Sequence, residues 1–449
     1  MASPPEARGE LPDLDAAVAA MDELPDLDAA VAAMDERQAA LRESLASRRA
    51  RLPLRYWRQQ AHFTTPAERD IAAKALTSGT AATGRIMERL GVGAAELADR
   101  LGVDTTAVES LIAHPRTAPL VMVDAEDALA LTDAAAEQGR ADAIEVLSTA
   151  VGGDAIGSLR FFRPPGLGLG TTARELFPVL WGLVARSGPD ALPLDGIVFP
   201  KLEHPEEVDF VHDMLTEAEA ALDVPMGTIR TAYLVESGWA VSQLDRIAIR
   251  AADRLCALIF GLADYSADLG LPSITNDHAM ADWARARIVN VAAGVGVPAI
   301  DGMTLAYPVA DPRLDDAANR ERFLARMALV YHDAERARDL GMMGKWVGHP
   351  AQLFAVLLAY DASMTAEALE REAAKLAAYS ESVHGEGKGA TMIEGIMSDR
   401  ATDRHARTVL RQAVAMGRFD VHRALALGVI EVEELAEAEA AAGVRQGGG

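Results

Sequence analysis

Short apolar runs alternate with longer segments in which apolar residues recur at helical spacing. The runs that predict strands are Ala61–Thr64, Leu120–Asp124, Leu159–Arg163, Gly196–Pro200, Ala232–Glu236, Leu255–Gly261, Val297–Asp301 and Gly344–Gly348. Helical patterns such as Pro205–Leu222 and Asp315–Leu340 separate most of them. Because no glycine-rich dinucleotide turn follows the first strand, the alternation favours an α/β fold of the (β/α)₈ TIM barrel type over a doubly wound sheet.

Two neighbouring predicted strands are each followed by an acidic residue. Tyr233–Val235 is followed by Glu236, and Leu255–Phe260 is followed by Asp264, with a helical pattern between them. Parallel strands need such a crossover, and active sites of barrels lie at the carboxyl ends of strands. Two carboxylates on one rim are a typical protein contribution to a Mg²⁺ site. The alternative interpretation is that both acids are solvated strand ends.

Polar residues also follow the other predicted strands. They are Asp124, Glu126 and Asp127, then Arg163, Lys201, Glu203, Asp301 and His349. Their collection at strand ends indicates an active site on this rim. Lys201 is also a residue type that forms Schiff bases in one class of aldolases, but the acidic pair favours the metal route.

Sequence features outside the strand pattern predict the flanking segments. Glu10–Asp22 recurs unchanged as Glu23–Asp35, and each copy carries a Leu, Val and Met stripe, which predicts an acidic helical arm over residues 1–50. The barrel is expected over 51–355, a C-terminal helical lid segment over 356–430 and a flexible tail over 431–449.

A helical insertion is predicted over 79–116, between the first two strands. Within it, Ala95–Ile112 has the apolar pattern of a helix-turn-helix. The acids Asp99, Asp104 and Glu109 disfavour DNA binding, and the alternative is an inserted helical hairpin whose apolar residues simply pack.

The composition limits the classes of partner that the protein can bind. The 449 residues carry a net charge of −24, which repels nucleic acid and anionic membranes. Cys256 is the only cysteine, so no internal disulfide can form and a reducing cytoplasmic location fits. No apolar run approaches the roughly 20 residues of a membrane span, and no signal-peptide pattern opens the chain. We therefore expect a soluble cytoplasmic protein without a membrane partner.

Seven motifs occur in an order that resembles a known family. They are VMVDAEDALA (121–130), DGIVFPKLEHPEEV (195–208), YLVESGWAV (233–241), LIFGLADYSADLG (258–270), GVPAIDG (296–302), GKWVGHPAQ (344–352) and GATMIEGIMSDRAT (389–402). Together they resemble the citrate lyase β-subunit-like group of the HpcH/HpaI aldolase superfamily, which includes malyl-CoA and citramalyl-CoA lyases. The resemblance implies a TIM barrel enzyme that cleaves or forms the carbon–carbon bond of a short 3-hydroxyacyl-CoA, with an α-keto acid and an acyl-CoA as the other partners.

The resemblance also implies roles for single residues. Glu236 and Asp264 match the family's ligands for Mg²⁺, with Mn²⁺ as a possible replacement. Arg163 fits the family's catalytic arginine better than Arg160 does, because its spacing to the following helix is closer.

Three further acids match family positions. Glu126 and Asp127 match a pair that helps to fix the arginine and the substrate. Asp399 matches an acid on a C-terminal lid, often given to a neighbouring subunit, which implies a homo-oligomer such as a trimer or hexamer.

The first strand departs from the family pattern. Where relatives read Arg-Ser-x-Leu-x-Val-Pro-Gly, this chain has His62–Leu76, followed by the insertion. Both changes affect the region that could contact a CoA nucleotide. Two alternatives therefore stay open: a metal-dependent aldolase acting on a free hydroxy-keto acid, and a non-catalytic barrel with a helix-turn-helix-like regulatory insert.

Overall fold

A computed structural model describes residues 27–46, 52–126, 132–149, 157–385, 391–393 and 396–446. The chain divides into two units, residues 1–48 and 49–449. In the first unit the described residues form one helix, α1 (Leu27–Ala46), on which Val31 and Met34 of the predicted apolar stripe are exposed. The first copy of the repeat lies outside the described residues.

The second unit contains a closed barrel of eight parallel strands in chain order. They are β1 (Ala61–Pro66), β2 (Leu120–Asp124), β3 (Leu159–Arg163), β4 (Gly196–Phe199), β5 (Arg230–Val235), β6 (Leu255–Phe260), β7 (Ala299–Asp301) and β8 (Gly344–Val347). The predicted TIM barrel is confirmed, and every predicted strand is present with ends shifted by at most two residues. The pattern worked because parallel strands covered on both faces are near-continuous apolar runs.

Helices cover the outside of the barrel. The first five in this unit are α2 (Arg69–Ser78), α3 (Ala81–Leu90), α4 (Ala94–Leu101), α5 (Thr105–Ala113) and α6 (Asp133–Leu147). They are followed by α7 (Thr172–Ser187), α8 (Pro205–Ala221), α9 (Gly238–Ala251), α10 (Leu262–Asp268), α11 (Ala279–Val295), α12 (Asp316–Asp339) and α13 (Pro350–Asp361). The boundary expected between residues 355 and 356 falls inside α13, whose buried apolar residues belong to the barrel core.

The inside of the barrel is closed at the amino ends of its strands. A 3₁₀ turn, Leu54–Trp57, places Tyr56 among inward-facing residues such as Met122 and Phe161. The Tyr56 hydroxyl donates to the carbonyl of Asp195 at 2.8 Å, just before β4 begins. At this end, the described side chains fill the inside of the barrel, and the cleft with the strand-end acids lies at the opposite end.

The insertion packs on the barrel. Leu97, Leu101 and Val108 of α4 and α5 belong to the same buried cluster as the outer face of the barrel. Arg100 pairs with Glu321 on α12. The helix-turn-helix-like pattern is thus accounted for by packing, as the second interpretation expected.

The C-terminal helices follow α13 and form their own apolar cluster. They are α14 (Ala366–Gly385), α15 (Arg400–Ala415), α16 (Val421–Ala426) and α17 (Leu435–Gln446), with a hairpin of β9 (Thr391–Ile393) and β10 (Ile396–Ser398) before α15. The cluster includes Leu54 of the 3₁₀ turn, so the helices pack at the amino ends of the barrel strands. In the described part of the chain, no helix is both long and apolar enough to cross a membrane.

The segment expected to be a flexible tail is a helix up to Gln446. Ala438 is fully buried, and the Glu437 carboxylate accepts a hydrogen bond from the Arg55 backbone N–H at 2.9 Å. The expectation was wrong for these residues because alanines in an acidic helix also serve as small contacts where two helices pack closely.

Candidate active site

The two acids of the predicted pair come from neighbouring strands and line one cleft. Glu236 stands between the last residue of β5 and Ser237, whose hydroxyl caps α9 by accepting from the Ala240 N–H at 3.0 Å. Asp264 lies in the first turn of α10, directly after β6. The Gly261 N–H donates to the Val235 carbonyl at 3.0 Å, which holds the two acid-bearing segments side by side.

Gly261 makes room for the Glu236 side chain. A Cβ at position 261 would lie 2.5 Å from the Glu236 Cβ and 2.6 Å from its Oε2. Any larger residue at this position would therefore displace the Glu236 carboxylate, so a glycine is required here.

Glu236 is buried, while Asp264 is exposed at the cleft. Burial, followed by repulsion from the Asp264 carboxylate, raises the pKa of Glu236 to about 7. The Lys201 backbone N–H donates to Glu236 Oε1 at 2.8 Å and opposes this rise. A buried carboxylate facing a second carboxylate is a group that a cation would stabilise.

Arg163 stands at the end of β3 in a buried network. Its Nε and Nη2 donate to the two carboxylate oxygens of Asp124 at 2.7 and 2.6 Å. Its Nη1 lies 3.1 Å from Glu126 Oε2, and its guanidinium stacks over the Trp346 ring at 5.3 Å. Bidentate pairing and stacking fix the plane of the guanidinium, so a permanent positive charge is held at the cleft wall.

Lys201 connects the arginine network to the acid pair. Its Nζ lies 2.9 Å from Glu126 Oε1, and its backbone N–H reaches Glu236. Lys201 has a φ of 55°, a left-handed conformation that typically costs ~1–3 kcal/mol in a residue other than glycine. Its amine is engaged in an ion pair, which agrees with a positioning role rather than a Schiff base.

The cleft has a volume of 380 Å³ and a mixed lining. Its charged lining residues are Asp124, Arg163, Glu236 and Asp264. Its large apolar and aromatic lining residues are Leu262, Met303, Leu305, Tyr307 and Trp346.

The remaining predicted residues are placed elsewhere or are not described. Asp127 lies outside the described residues. Arg160 points its guanidinium to the Leu147 carbonyl, and its backbone N–H donates to Asp195 near the amino ends of the strands, away from the cleft. Asp399 caps α15, accepting from the N–H groups of Ala401 and Thr402, and it does not line the cleft.

Three strand-end residues have structural roles. Lys345 is fully buried and its Nζ lies 2.5 Å from Asp301 Oδ2, while Arg285 Nε donates to Asp301 Oδ1 at 2.6 Å. The His349 ring accepts from the Ala351 N–H at 3.2 Å and caps α13.

Two functional features escaped the sequence analysis. Asp124 was noted only as a polar strand end, although it is the bidentate partner of Arg163. The apolar wall on the segment after β7 was not noted at all. The spacing of Met303, Leu305 and Tyr307 at every second position is a sequence signal that could have been used to find it.

The charges of the site fit a divalent cation. In the described part of the cleft network, four carboxylates, Asp124, Glu126, Glu236 and Asp264, stand against two cations, Arg163 and Lys201. The cations pair with Asp124 and Glu126, so the excess negative charge is concentrated on Glu236 and Asp264. The described residues contain no group of three or more His, Cys, Asp or Glu side chains able to hold a metal. Such a pair suits Mg²⁺, which commonly takes one or two carboxylates and completes its shell with water and substrate oxygens.

Curated relatives share the chain's class. The chain is 29% identical over 217 residues to the L-malyl-CoA/beta-methylmalyl-CoA lyase of Haloarcula marismortui, an alignment that covers 46% of this chain and 58% of that protein. It is 30% identical over 236 residues to the enzyme of the same name from Rhodobacter capsulatus, covering 49% of this chain and 67% of that protein. The chain thus spans about three fifths to two thirds of the length of these relatives.

A solved structure shares the fold. The crystal structure of a citrate lyase from Burkholderia xenovorans LB400 matches with a TM-score of 0.55 and 19% identity, covering 82% of this chain and 95% of that one. At this identity the match supports the barrel with its helical additions and nothing finer.

The barrel, the acids at its rim and the similar proteins together define the class of this protein. It is a TIM barrel of the HpcH/HpaI aldolase superfamily, in the group of the malyl-CoA lyases and citrate lyase β-like proteins. Within that class, the family described as "Domain of unknown function (DUF6986)" matches residues 58–442, and the chain belongs to it.

Proposed function

We propose that this protein is a Mg²⁺-dependent carbon–carbon lyase that cleaves or forms a short 3-hydroxyacyl thioester of the malyl-CoA or citramalyl-CoA type. The observation that carries the proposal is the pairing of Glu236 with Asp264 in one cleft beside Arg163. The relatives named as malyl-CoA lyases support the same reaction class.

Glu236 and Asp264 are the residues that would hold the metal. A bound Mg²⁺ would supply Lewis acidity and a template for the hydroxyl and carboxylate oxygens of the substrate. The cleavage passes the hydroxyl proton to solvent water and breaks the bond between C2 and C3. The hydroxyl-bearing fragment becomes an α-keto acid, and the electron pair of the broken bond passes to the thioester fragment as an enolate.

Arg163 would stabilise the enolate oxygen. Its guanidinium is permanently charged and is fixed by Asp124, Glu126 and Trp346 before substrate arrives. A preorganised charge of this kind costs no reorganisation as the enolate forms, and losing one such donor typically raises the barrier by about 3–4 kcal/mol.

The enolate carbon must then receive a proton. Asp399 is the proposed donor, and because it lies outside the cleft of its own chain, we propose that a neighbouring subunit of a homo-oligomer supplies it. The lid role of the segment around Asp399 is part of the same proposal. A positioned acid of this type typically contributes about 10²–10⁴-fold to the rate.

The test is magnesium-dependent release of glyoxylate or pyruvate from malyl-CoA or citramalyl-CoA. Glu236→Gln keeps the shape of the side chain but removes its charge, and we expect it to abolish both Mg²⁺ binding and turnover. Glu203→Gln, which changes an acid after β4 that does not line the cleft, is the matched control and is expected to keep both.

A second substrate class is kept in the test because the first strand departs from the family pattern and the insertion follows it. If free hydroxy-keto acids are turned over and CoA thioesters are not, the protein is a metal-dependent aldolase without a CoA carrier. If neither class reacts and Mg²⁺ does not bind, the lyase proposal is wrong.

A further inference from the structure

The segment between β7 and α12 forms one wall of the cleft. Met303, Leu305 and Tyr307 line the cleft at every second position. The intervening Thr304 faces away, since its hydroxyl donates to Asp333 at 2.8 Å and the residue is buried. Alternate residues of this segment therefore line the cleft, while its backbone bends at Leu305 and Ala306.

The wall is fixed by side chains that bind its backbone. The Gly302 carbonyl accepts from Lys345 Nζ at 2.7 Å, and the Thr304 carbonyl accepts from Gln352 Nε2 at 2.7 Å. Further along, Arg326 donates to the Tyr307 carbonyl.

The far end of the segment is held by α12. Arg322 donates to the Val309 carbonyl at 3.2 Å, and Asn319 donates to the carbonyls of Asp311 and Leu314 at 3.1 and 3.0 Å. A segment without regular structure is therefore held at carbonyls along its whole length, which makes it a preorganised surface rather than a mobile loop.

Tyr307 sits tightly in this wall. Its hydroxyl contacts Met303 Sδ at 2.9 Å, and a Cβ at position 348 would overlap that hydroxyl. A thioether is a weak acceptor, so the Tyr307 hydroxyl remains a polar atom of the wall, and the apolar part of the wall is provided by Met303 and Leu305.

The wall lies beside the acid pair because of strand order. Glu236 follows β5, Asp264 follows β6, and the wall follows β7, so the three are consecutive around the rim. Arg163 follows β3, on the other side of the acid pair. In the proposed reaction, the carbon that carries the hydroxyl and carboxylate lies at the acid pair and the enolate lies at Arg163. Any substituent on the hydroxyl-bearing carbon then faces Met303 and Leu305.

We infer that the wall selects an α-keto acid with an apolar side chain, larger than glyoxylate or pyruvate. Glyoxylate has no substituent and would leave the wall facing water. An alkyl side chain would cover Leu305, which is 48% exposed. Removing apolar surface from water favours binding, and in a hydrophobic pocket each methylene typically changes discrimination by about 10-fold or more. The inference rests on the proposed function for the orientation of the substrate.

The first test is a keto acid series in the condensing direction with acetyl-CoA and Mg²⁺. Glyoxylate, pyruvate, 2-oxobutanoate and 4-methyl-2-oxopentanoate are compared by kcat/KM, with products read by mass spectrometry. We expect kcat/KM to rise along the series by at least about 10-fold from glyoxylate to the best alkyl keto acid. A series in which glyoxylate or pyruvate is the best substrate would overturn the inference.

Substitutions localise the effect. Leu305→Ala should lower kcat/KM for 4-methyl-2-oxopentanoate by about 10-fold relative to kcat/KM for glyoxylate, because only the longer chain reaches position 305. Leu314→Ala changes a similarly exposed leucine of the same segment that does not line the cleft, and it should leave the whole series unchanged. An unchanged preference in Leu305→Ala would also overturn the inference.

A binding experiment separates this inference from the reaction. Calorimetry of pyruvate and 4-methyl-2-oxopentanoate, each with saturating Mg²⁺, measures selection by the wall without turnover. Tighter binding of the longer acid, lost in Leu305→Ala, with no carbon–carbon chemistry on any thioester, would uphold the wall and reject the proposed function. Equal affinities, or the same difference in both proteins, would reject the wall while leaving the lyase chemistry standing.

Discussion

Arg163 is a cation held in one position inside an acidic protein. Arg163 is buried and its guanidinium is gripped at two edges by carboxylates and on one face by an indole ring. Such a buried cation persists because its partners satisfy it, and the same partners define its direction. The carboxylates that neutralise the charge of Arg163 therefore also set the orientation of its guanidinium.

Arg163→Lys should keep the charge and lose the geometry. Lysine cannot make the bidentate contact with Asp124 or stack flat on Trp346, so we expect kcat for thioester cleavage to fall by about 10²–10³-fold. Steady-state kinetics with malyl-CoA provide the measurement. Arg160→Lys, on the same strand at its other end, should keep kcat within a few-fold of the parent. Equal losses in both variants would mean that the effect is on the barrel and not on the cleft.

The pKa of Glu236 determines how the affinity for Mg²⁺ is expected to change with pH. Its pKa is raised to about 7 by burial and by Asp264, so below that pH the carboxyl is protonated and the proton must leave before a cation binds. The affinity for Mg²⁺ should therefore be level above about pH 7 and fall by about 10-fold per unit as the pH drops below it.

Calorimetry across this range, in two buffers of different ionisation enthalpy, measures both the affinity and the proton released. A glutamate with an ordinary pKa would keep its affinity down to about pH 5. An affinity for Mg²⁺ that stays constant between about pH 5 and about pH 7 would contradict the raised pKa of Glu236.

At this scale, the sequence analysis predicted the two acids of the pair but not the pairing of Asp124 with Arg163. Glu236 and Asp264 could be predicted because each follows an apolar run that reads as a strand. Asp124 could not be assigned, because a strand pattern does not show which neighbour's side chain a terminal residue meets. The use of Arg163 rather than Arg160 at the cleft follows from placement at opposite ends of β3, and its catalytic role stays a prediction.

Among the elements, periodicity predicted the strands well and irregular segments poorly. The segment from Gly302 to Leu314 owes its shape to Asn319, Arg322, Lys345 and Gln352, which lie on later elements. Contacts of this kind leave no local pattern. The last helix was mispredicted for a related reason, since its role depends on a partner far away in sequence.

Removing residues 431–449 should destabilise the protein. The truncation would delete the buried Ala438, the pairing of Glu434 with Arg411, and the Glu437 contact to Arg55. We expect the free energy of unfolding to fall by about 2 kcal/mol or more, from lost apolar burial and hydrogen bonds. Urea unfolding followed by circular dichroism measures this, with a chain lacking only Gly447–Gly449 as the control. Equal stability of the two truncated chains would show that α17 does not stabilise the fold.

Across the whole molecule, the open rim and the C-terminal helices lie toward opposite ends of the barrel strands. Asp399 belongs to those helices and caps α15 in its own chain. If it also acts as the proton donor, the complete site needs two copies of the chain, which makes the oligomer part of the chemistry.

Two inactive variants should restore each other. Asp399→Ala and Glu236→Gln are each expected to lose turnover, whereas their coexpressed mixture should regain activity because some sites combine an intact acid pair with an intact Asp399. The assay is malyl-CoA cleavage by the separately purified and the coexpressed proteins. If Asp399 acts within its own chain, coexpression restores nothing, and if it only caps a helix, Asp399→Ala alone keeps turnover.

The stacking of Trp346 on Arg163 has a practical consequence. This indole lies at the cleft, whereas Trp181, Trp239 and Trp283 are exposed on the outside of the protein. An anion arriving at the guanidinium changes the electric field across the ring, so intrinsic fluorescence becomes an optical reporter of occupancy. Replacing the three outer tryptophans with phenylalanine would leave this indole and Trp57 of the 3₁₀ turn as the two remaining tryptophans. Replacing Trp57 as well would isolate the Trp346 signal and allow ligands to be screened without any knowledge of turnover.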